Sequence, residues 1–180
     1  MPTPPTFDEL LQQPSKTATQ ALDLFDRLEL VDLEFMLGRW RGDEFPTQHP
    51  MDGALRFFNW YGKEFCDAET VHPLLFIDTN QNIFKVAPKP FLVSLALPYV
   101  AHLQHPIVKP LFWAVRPWLE TQQSQARLRM MRVRDQVSAT MIYDHLPIHD
   151  TFKKVDDQTV LGMMDMKGMT QPFFFVLRRV

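Results

Sequence analysis

Five side chains able to do acid–base or ligand chemistry fall within eight positions of the sequence: Tyr143, Asp144, His145, His149 and Asp150. A histidine near carboxylates can act as a general base, a metal ligand or a haem ligand. We therefore take His145, together with Asp144 or Asp150, as the candidate catalytic group. Two histidines four apart on a strand share one face, but no metal-binding motif accompanies them, so no metal site is predicted. The alternative is a polar hairpin at the rim of a sheet.

Further side chains are candidates for contacts with an apolar ligand that carries a polar head group. Seven of the ten methionines lie between positions 130 and 169, and they suit either a cavity for flexible apolar molecules or an ordinary core. Lys154 would suit an anionic head group if it faced such a cavity, and an exposed lysine is the alternative. The candidate ligand contacts are Tyr143, His145, His149, Lys154, Met141, Met164 and Trp113.

A G-x-W-x-G motif, made by Gly38, Trp40 and Gly42, predicts the structural centre of the fold. Glycines on both sides of a tryptophan allow a large group to lie close to the backbone. The last apolar run ends in Arg178 and Arg179. Because side chains alternate along a strand, only one of these can reach the Trp40 ring, within about 6 Å of its centroid. Both faces of this strand are apolar, so the sequence leaves the choice open, with Arg179 as the first candidate and Arg178 as the alternative.

Helices and short strands are expected to position these groups. Residues 6–30 show helical periodicity, and residues 31–37 are predicted to form one or two helical turns. Strands are predicted at 38–45, 60–65, 73–77, 82–87, 126–134, 137–144, 148–155, 158–166 and 172–179, with a short helix in 51–60 and two-residue turns at 135–136 and 156–157. Asp165 and Lys167 share a face of one strand, where a salt bridge is the default. Nine mostly antiparallel strands joined locally avoid open edges by closing into a barrel.

The stretch from 88 to 120 differs from its surroundings, because six prolines interrupt a strongly apolar segment. Prolines at this spacing exclude a central strand and divide any helix into short pieces. A segment so long and so apolar is expected to cover something. A lid over a cavity, a homodimer contact and a contact with a membrane surface all remain open.

The chain is accordingly predicted to form one domain, 1–180. Its parts are a helical N-terminal segment (6–30), a first barrel half with the GxWxG motif (31–87), an apolar Pro-rich lid or insertion (88–125) and a C-terminal antiparallel sheet (126–180). The predicted fold class is a mainly β, calycin-like antiparallel barrel with an N-terminal helix and a partly helical insertion.

Composition excludes several classes of protein. A formal net charge of −2 and the lack of a recognition motif argue against nucleic-acid binding. The single cysteine, Cys66, rules out an intrachain disulfide and a cysteine metal cluster. No signal-peptide pattern is present, and the longest apolar stretch, 91–100, is too short to cross a bilayer. A cytoplasmic protein without stable membrane insertion is expected.

Three motifs in order carry a family resemblance: the run from 33 to 53 that contains G-x-W-x-G, YDHLPIHD at 143–150, and the segment at 152–168. Together they resemble the bacterial and fungal GXWXG-domain family of unknown function. That resemblance implies no activity, because the family has no settled one. The helical turn before the GxW and the terminal arginines also resemble calycins, the barrels of lipocalins and fatty-acid-binding proteins. This second resemblance implies an antiparallel barrel with an arginine over the Trp40 ring.

The leading functional hypothesis is a β-barrel that binds a small hydrophobic molecule in its interior. The first alternative is an enzyme with His145 and Asp144 or Asp150 as its acid–base group. A haem-binding barrel with an axial histidine is the second alternative, although no cofactor is expected. A protein-interaction scaffold acting through residues 88–120 is the third. The sequence leaves the ligand, and the choice among these functions, open.

Overall fold

The computed structural model describes residues 4–14, 16–96, 99, 102 and 104–180, and within them the chain forms six α-helices and ten strands. The helices are α1 (Phe7–Gln12), α2 (Ala18–Arg27), α3 (Leu33–Met36), α4 (Ala54–Phe57), α5 (Pro90–Ala96) and α6 (Val108–Leu119). The strands are β1 (Glu29–Leu30), β2 (Gly38–Glu44), β3 (Trp60–Phe65), β4 (Val71–Ile77), β5 (Ile83–Lys85), β6 (Ala126–Val133), β7 (Gln136–Tyr143), β8 (Ile148–Asp156), β9 (Thr159–Met166) and β10 (Phe173–Arg179). No described helix has the length and apolar character needed to cross a membrane.

Eight of the ten described strands form a closed antiparallel ring in the order β8, β7, β6, β4, β3, β2, β10 and β9, with β9 pairing back to β8. At its margins β1 pairs with β8, and β5 pairs with β4. The pairing between β4 and β6 is the shortest in the ring, because it consists of one residue pair, Val71 with Ala126. Ser124 supports this seam, since its hydroxyl oxygen accepts a hydrogen bond from the Val71 amide at 3.0 Å. The predicted mainly β, barrel-like fold with N-terminal helices is confirmed.

Three details of the predicted pattern were wrong. Glu29 and Leu30 form the additional strand β1 instead of continuing a helix, because α2 ends at Arg27. The hairpin between β6 and β7 turns at Arg134 and Asp135, one residue earlier than expected, with φ angles of 50° and 61°. Positive φ at both positions is characteristic of a two-residue type I′ turn, whose twist matches the flanking strands. The hairpin between β8 and β9 turns one residue later than expected.

The last strand, β10, is buried on both faces. Phe173, Phe175 and Leu177 belong to the core cluster inside the ring. Phe174 and Val176 belong to a second cluster with residues of α1 and α2. The N-terminal helices therefore cover the outer face of β10, as strand alternation predicts for a strand that is apolar on both sides.

Trp40 is fully buried beneath Arg179. Its indole Nε1 donates to the Met36 carbonyl oxygen at 2.8 Å, and Arg179 Cζ lies 4.3 Å from the centroid of the Trp40 ring. The same guanidinium donates to the carbonyl oxygens of Leu37 and Phe35 at 2.8 and 2.6 Å. The predicted cation–π contact is present, and Arg179 makes it.

The two glycines of the motif have different roles. Gly38 has a φ of 112°, in the left-handed region that favours glycine. Gly42 allows Trp60 to lie against β2, because a Cβ atom at position 42 would stand 2.0 Å from the Trp60 ring. The motif therefore positions two tryptophans: Trp40 beneath Arg179, and Trp60 at an apolar cavity inside the ring.

Candidate functional site

An apolar cavity of about 230 Å³ lies within the core cluster inside the ring. Strands β3, β4 and β7 to β10 contribute to its walls, together with α4 and the segment between β5 and β6 that carries α5. The lining residues are Met51, Leu55, Trp60, Lys63, Leu74, Pro88, Val93, Tyr143, Leu146, Ile148, Asp150, Met164, Met166, Phe173 and Phe175. An apolar cavity with a few polar groups is the usual form of a small-molecule site.

The two charged residues of the lining, Lys63 and Asp150, form a buried ion pair. Lys63 Nζ lies 2.8 Å from Asp150 Oδ2, and the two side chains are only 3% and 1% exposed. The ammonium group also donates to the Pro73 carbonyl oxygen at 3.2 Å and lies 5.0 Å from the ring centroid of Phe175. Burying two ions costs several kcal/mol per ion before their mutual attraction is counted. A pair kept in such a position is a candidate functional site.

Two polar atoms of the lining have no hydrogen-bond partner among the described residues. They are Asp150 Oδ1 and Trp60 Nε1, and both are buried. Leaving one such group unpaired costs about 1–3 kcal/mol. A carboxylate oxygen accepts hydrogen bonds and an indole N–H donates one. The lining residues therefore include one buried acceptor and one buried donor that lack a partner.

Burial changes how readily the acidic groups of the cavity ionise. The pKa of Asp150 is raised because its carboxyl group is removed from water, and the charge of Lys63 acts in the opposite direction. The pKa of Tyr143 is raised well above its ordinary value by burial and by the negative charge of Asp150. Tyr143 is therefore neutral near pH 7, and Asp150 takes up a proton more readily than an exposed aspartate does.

A bulge in β3 explains how Trp60 and Lys63, three positions apart, both reach the cavity. On a regular strand they would point to opposite faces. The pairing of β3 with β4 shifts register on both sides of Gly62, and a Cβ atom there would stand 2.0 Å from the Trp40 carbonyl oxygen. Sequence analysis missed both lining residues. The available signal was Gly62 itself, since a glycine inside a predicted strand indicates a bulge or a close backbone approach.

Three residues named from the sequence line the cavity: Tyr143 on β7, Asp150 on β8 and Met164 on β9. Met141 is fully buried in the same core cluster but is not part of the lining. Trp113 lies on α6, where its ring packs against Phe84 with the centroids 5.6 Å apart.

His145, the predicted catalytic residue, lies away from this lining. Residues 144–147 form the turn between β7 and β8, and both Asp144 and His145 are exposed there. Arg127 Nε lies 3.6 Å from Asp144 Oδ1. The turn separates the predicted acid–base group, because Asp150 follows on β8 with its side chain inside. Of the three predicted acid–base residues, only Asp150 is part of the cavity lining.

The remaining polar candidates also lie outside the lining. His149 Nε2 is 3.5 Å from Asp165 Oδ2, the residue opposite it on β9. The expected salt bridge between Asp165 and Lys167 is not among the ion pairs of the described residues, because β9 ends before Lys167. Lys154 Nζ lies 2.5 Å from Asp157 Oδ1 and does not face the cavity.

Arg178 lines a second, more polar cleft of about 810 Å³, which shares Leu55 and Trp60 with the cavity. Charged groups in this cleft pair with each other in part, as Arg56 Nη2 and Asp43 Oδ1 do at 3.3 Å. Apart from Trp60 Nε1, no described lining atom of the cleft is buried without a partner. The cavity is therefore the better candidate for a ligand.

Among the described residues, one cluster has the chemistry of metal ligands: Glu64, Cys66 and His72, whose ligand atoms lie within 4.8 Å of one another. Glu64 already has two cationic partners, because Arg39 Nη2 lies 2.5 Å and Lys85 Nζ 2.7 Å from its oxygens. A metal ion would have to displace them, so we propose no metal site. No described histidine lines the cavity, so the lining offers no imidazole to a haem iron.

Two family matches divide the chain. Residues 23–80 match the family described as GXWXG protein, and residues 124–179 match a domain of unknown function, DUF4334. The crystal structure of a protein from Thermomonospora curvata is similar over 92% of this chain and 90% of that chain, with 32% sequence identity and a TM-score of 0.68. No curated protein matches the chain significantly. None of these matches names a calycin, so that resemblance stays a prediction.

Proposed function

The chain belongs to the GXWXG-domain family of unknown function, and from the geometry of its cavity we propose that it binds a small, uncharged, hydrophobic ligand inside the barrel. The observation that carries this proposal is the pair of buried, unpartnered atoms, Asp150 Oδ1 and Trp60 Nε1, in an otherwise apolar lining. The exposed free thiol of Cys66 favours a reducing, cytoplasmic setting for this protein.

The lining also sets the chemical class of the ligand. Lys63 and Asp150 neutralise each other, so a charged ligand would leave a net charge in an apolar cavity. A hydroxyl group can donate to Asp150 Oδ1 or accept from Trp60 Nε1. The cavity volume of about 230 Å³ is below the roughly 300–1,000 Å³ of sites for drug-sized molecules. A small cyclic or short-chain alcohol meets all these conditions.

The proposal is tested by matched pairs of small alcohols and hydrocarbons of the same size. We expect calorimetric titration to show the alcohol binding about two- to twelve-fold more tightly, the value of one hydrogen bond of about 0.5–1.5 kcal/mol. Met164→Phe should reduce binding by filling the cavity, while Met130→Phe, at an exposed position, should not. Equal binding of alcohol and hydrocarbon, or full binding by Met164→Phe, would contradict the proposal.

A second candidate function is an enzyme that moves a proton on the bound ligand. It is favoured by the unpartnered Asp150 Oδ1 together with the raised pKa of that carboxyl group, which burial causes. In D₂O, such an enzyme would place deuterium on a carbon atom of a ligand that it retains. We expect mass spectrometry to detect this exchange with the wild-type protein and not with Asp150→Asn. A ligand that binds without exchange would leave binding as the function.

A further inference from the structure

The outward side of α6 is apolar along its whole length. Between 107 and 119, every exposed residue is apolar: Ile107, Pro110, Leu111, Ala114, Pro117 and Trp118. Their spacing of three and four positions places them along one stripe of the helix. Trp118 is 82% exposed and Leu111 60%. We call these six residues the apolar face of α6.

The opposite side of α6 is held against the barrel, so the apolar face points outward. The Phe112 ring packs on Phe58 and on Phe76, with centroids 5.2 and 5.1 Å apart. Arg116 Cζ lies 3.8 Å above the Phe84 ring, and Lys109 Nζ donates to an oxygen of Asn59 at 3.2 Å. The charged residues of the helix are therefore directed toward the barrel.

Helix α5, in the same insertion, is exposed in a similar way. Phe91 is 74% exposed and Leu95 59%, and Val93 faces the cavity. Exposed apolar surface on two helices exceeds the scattered apolar residues of an ordinary protein surface, and it marks an interaction site.

The charge of this segment indicates the kind of partner. No aspartate or glutamate occurs between Asp78 and Glu120, whereas Lys85, Lys89, Lys109 and Arg116 do, in a chain of net charge −2. Lys89, His102 and His105 are exposed. A second copy of the chain would bring two segments of like charge together. Lys85 pairs with Glu64, and Arg116 pairs with Asp78 and Glu120. Anionic lipid head groups would instead pair with the exposed Lys89, while the acyl boundary takes up the apolar side chains.

We propose that α5 and α6 seat the protein on the surface of a bilayer that contains anionic phospholipid. In this arrangement Trp118, Leu111 and Phe91 enter the boundary between head groups and acyl chains, and Lys89 lies among the head groups. Pro88 and Val93 of the same segment line the cavity, so the docked face borders the ligand site. Docking there would let the cavity exchange its ligand with the membrane. This exchange rests on the proposed function, whereas the docking rests on the exposed apolar surface alone.

Vesicle flotation of the full chain tests the docking. We expect the protein to float with vesicles of phosphatidylcholine and phosphatidylserine, and less with phosphatidylcholine alone. The double variant Leu111→Ser/Trp118→Ser should bind vesicles at least about ten-fold more weakly than the wild type, because two side chains that would be buried in lipid are lost. Its control is Met130→Ser/Val137→Ser, which changes two exposed apolar residues outside the insertion and should bind like the wild type.

A charge variant tests the preference for anionic lipid. Lys89→Gln should weaken binding about five-fold, the effect of one basic residue near such a surface. Lys167→Gln, at an exposed lysine outside the insertion, should have no effect.

The proposal is overturned if the wild-type protein stays with the unbound fraction, or if the Leu111/Trp118 variant floats like its control. A concentration-dependent dimer that the same double variant abolishes, without vesicle binding, would identify a second copy as the occupant and also overturn it. Met164→Phe, which fills the cavity, should float like the wild type. Vesicle binding together with failure of the alcohol titration would therefore support the docking and reject the ligand proposal.

Discussion

The half-buried Arg179 and the buried Lys63 have different surroundings in the barrel. At the Trp40 site, the Arg179 guanidinium covers an aromatic ring and donates to two carbonyl oxygens. At the cavity, Lys63 is paired with Asp150, yet one carboxylate oxygen of that aspartate and the nearby Trp60 N–H have no partner among the described residues. A buried polar group that is fully satisfied stabilises a fold, whereas one left unsatisfied costs free energy unless something else binds it. This difference favours a stabilising role for the first site and supports the ligand proposed for the second.

The largest effect is expected at the Trp40 site. Trp40→Ala should lower the free energy of unfolding by about 3–5 kcal/mol through lost burial and the cavity that remains, with about 2 kcal/mol more from the lost cation–π contact. Urea denaturation measures this loss. Trp118→Ala is the matched control, because that side chain is 82% exposed and its removal should change stability by no more than about 0.5 kcal/mol. Similar losses of unfolding free energy in Trp40→Ala and Trp118→Ala would contradict a special stabilising role for the Trp40 site.

The ion pair of the cavity gives the next largest effect. Asp150→Asn leaves the Lys63 charge buried without a counter-charge, so unfolding free energy should fall by about 3–5 kcal/mol. The double variant Lys63→Met/Asp150→Leu removes both charges and should be as stable as the wild type or more so. Urea denaturation and alcohol titration of the double variant should show a stable barrel that no longer prefers alcohols to hydrocarbons. A double variant as unstable as Asp150→Asn would mean that the pair is structural.

At the Trp40 site, the geometry of the guanidinium can be tested separately from its charge. Arg179→Lys keeps the charge but loses the planar fork that reaches both the Leu37 and the Phe35 carbonyl oxygens. Losing one hydrogen bond from a charged donor should lower the free energy of unfolding by about 2 kcal/mol. Arg178→Lys, the neighbouring position without these contacts, should leave stability unchanged. Thermal or urea denaturation of both variants decides whether Arg179 acts by shape as well as charge.

The same comparison shows which parts of this protein its sequence predicts. An arginine could be placed over Trp40 because both partners lie on regular strands, where side chains alternate between two faces. The choice between Arg178 and Arg179 depended on the register of β10 with β2, in which Arg179 pairs with Trp40. Lys63 could not be placed in this way, because the bulge at Gly62 breaks that alternation and its partner Asp150 is distant in the sequence. The prediction that His145 and Asp150 share one site failed for a related reason. Proximity in sequence placed His145 with Asp150, but the turn at 144–147 leaves it exposed. Local periodicity predicts strands and faces, whereas a cavity depends on which distant side chains the closed ring brings together.

The smallest expected effect concerns acid, and it is expected at His49, next to the cavity. His49 is buried, with its ring 5.2 Å from the centroid of Phe173, a lining residue of the cavity. Burial lowers the pKa of His49, and the charge of Asp52 opposes that change.

As pH falls below about 6.5, the unfolded chain protonates a free imidazole, while the buried one stays neutral to lower pH. The unfolded state then binds more protons, so stability present above pH 6.5 decreases as pH falls. His49→Asn removes the titrating ring, and its amide oxygen can replace Nδ1 as the acceptor for the Met51 amide, which lies 3.1 Å from that nitrogen. Urea denaturation one pH unit above and one pH unit below about 6.5 should show that the free energy of unfolding falls less in His49→Asn than in the wild type. Arg179→Lys should lose as much stability over this interval as the wild type does, because it leaves His49 unchanged. Equal pH dependence in His49→Asn and the wild type would show that His49 is not the titrating group.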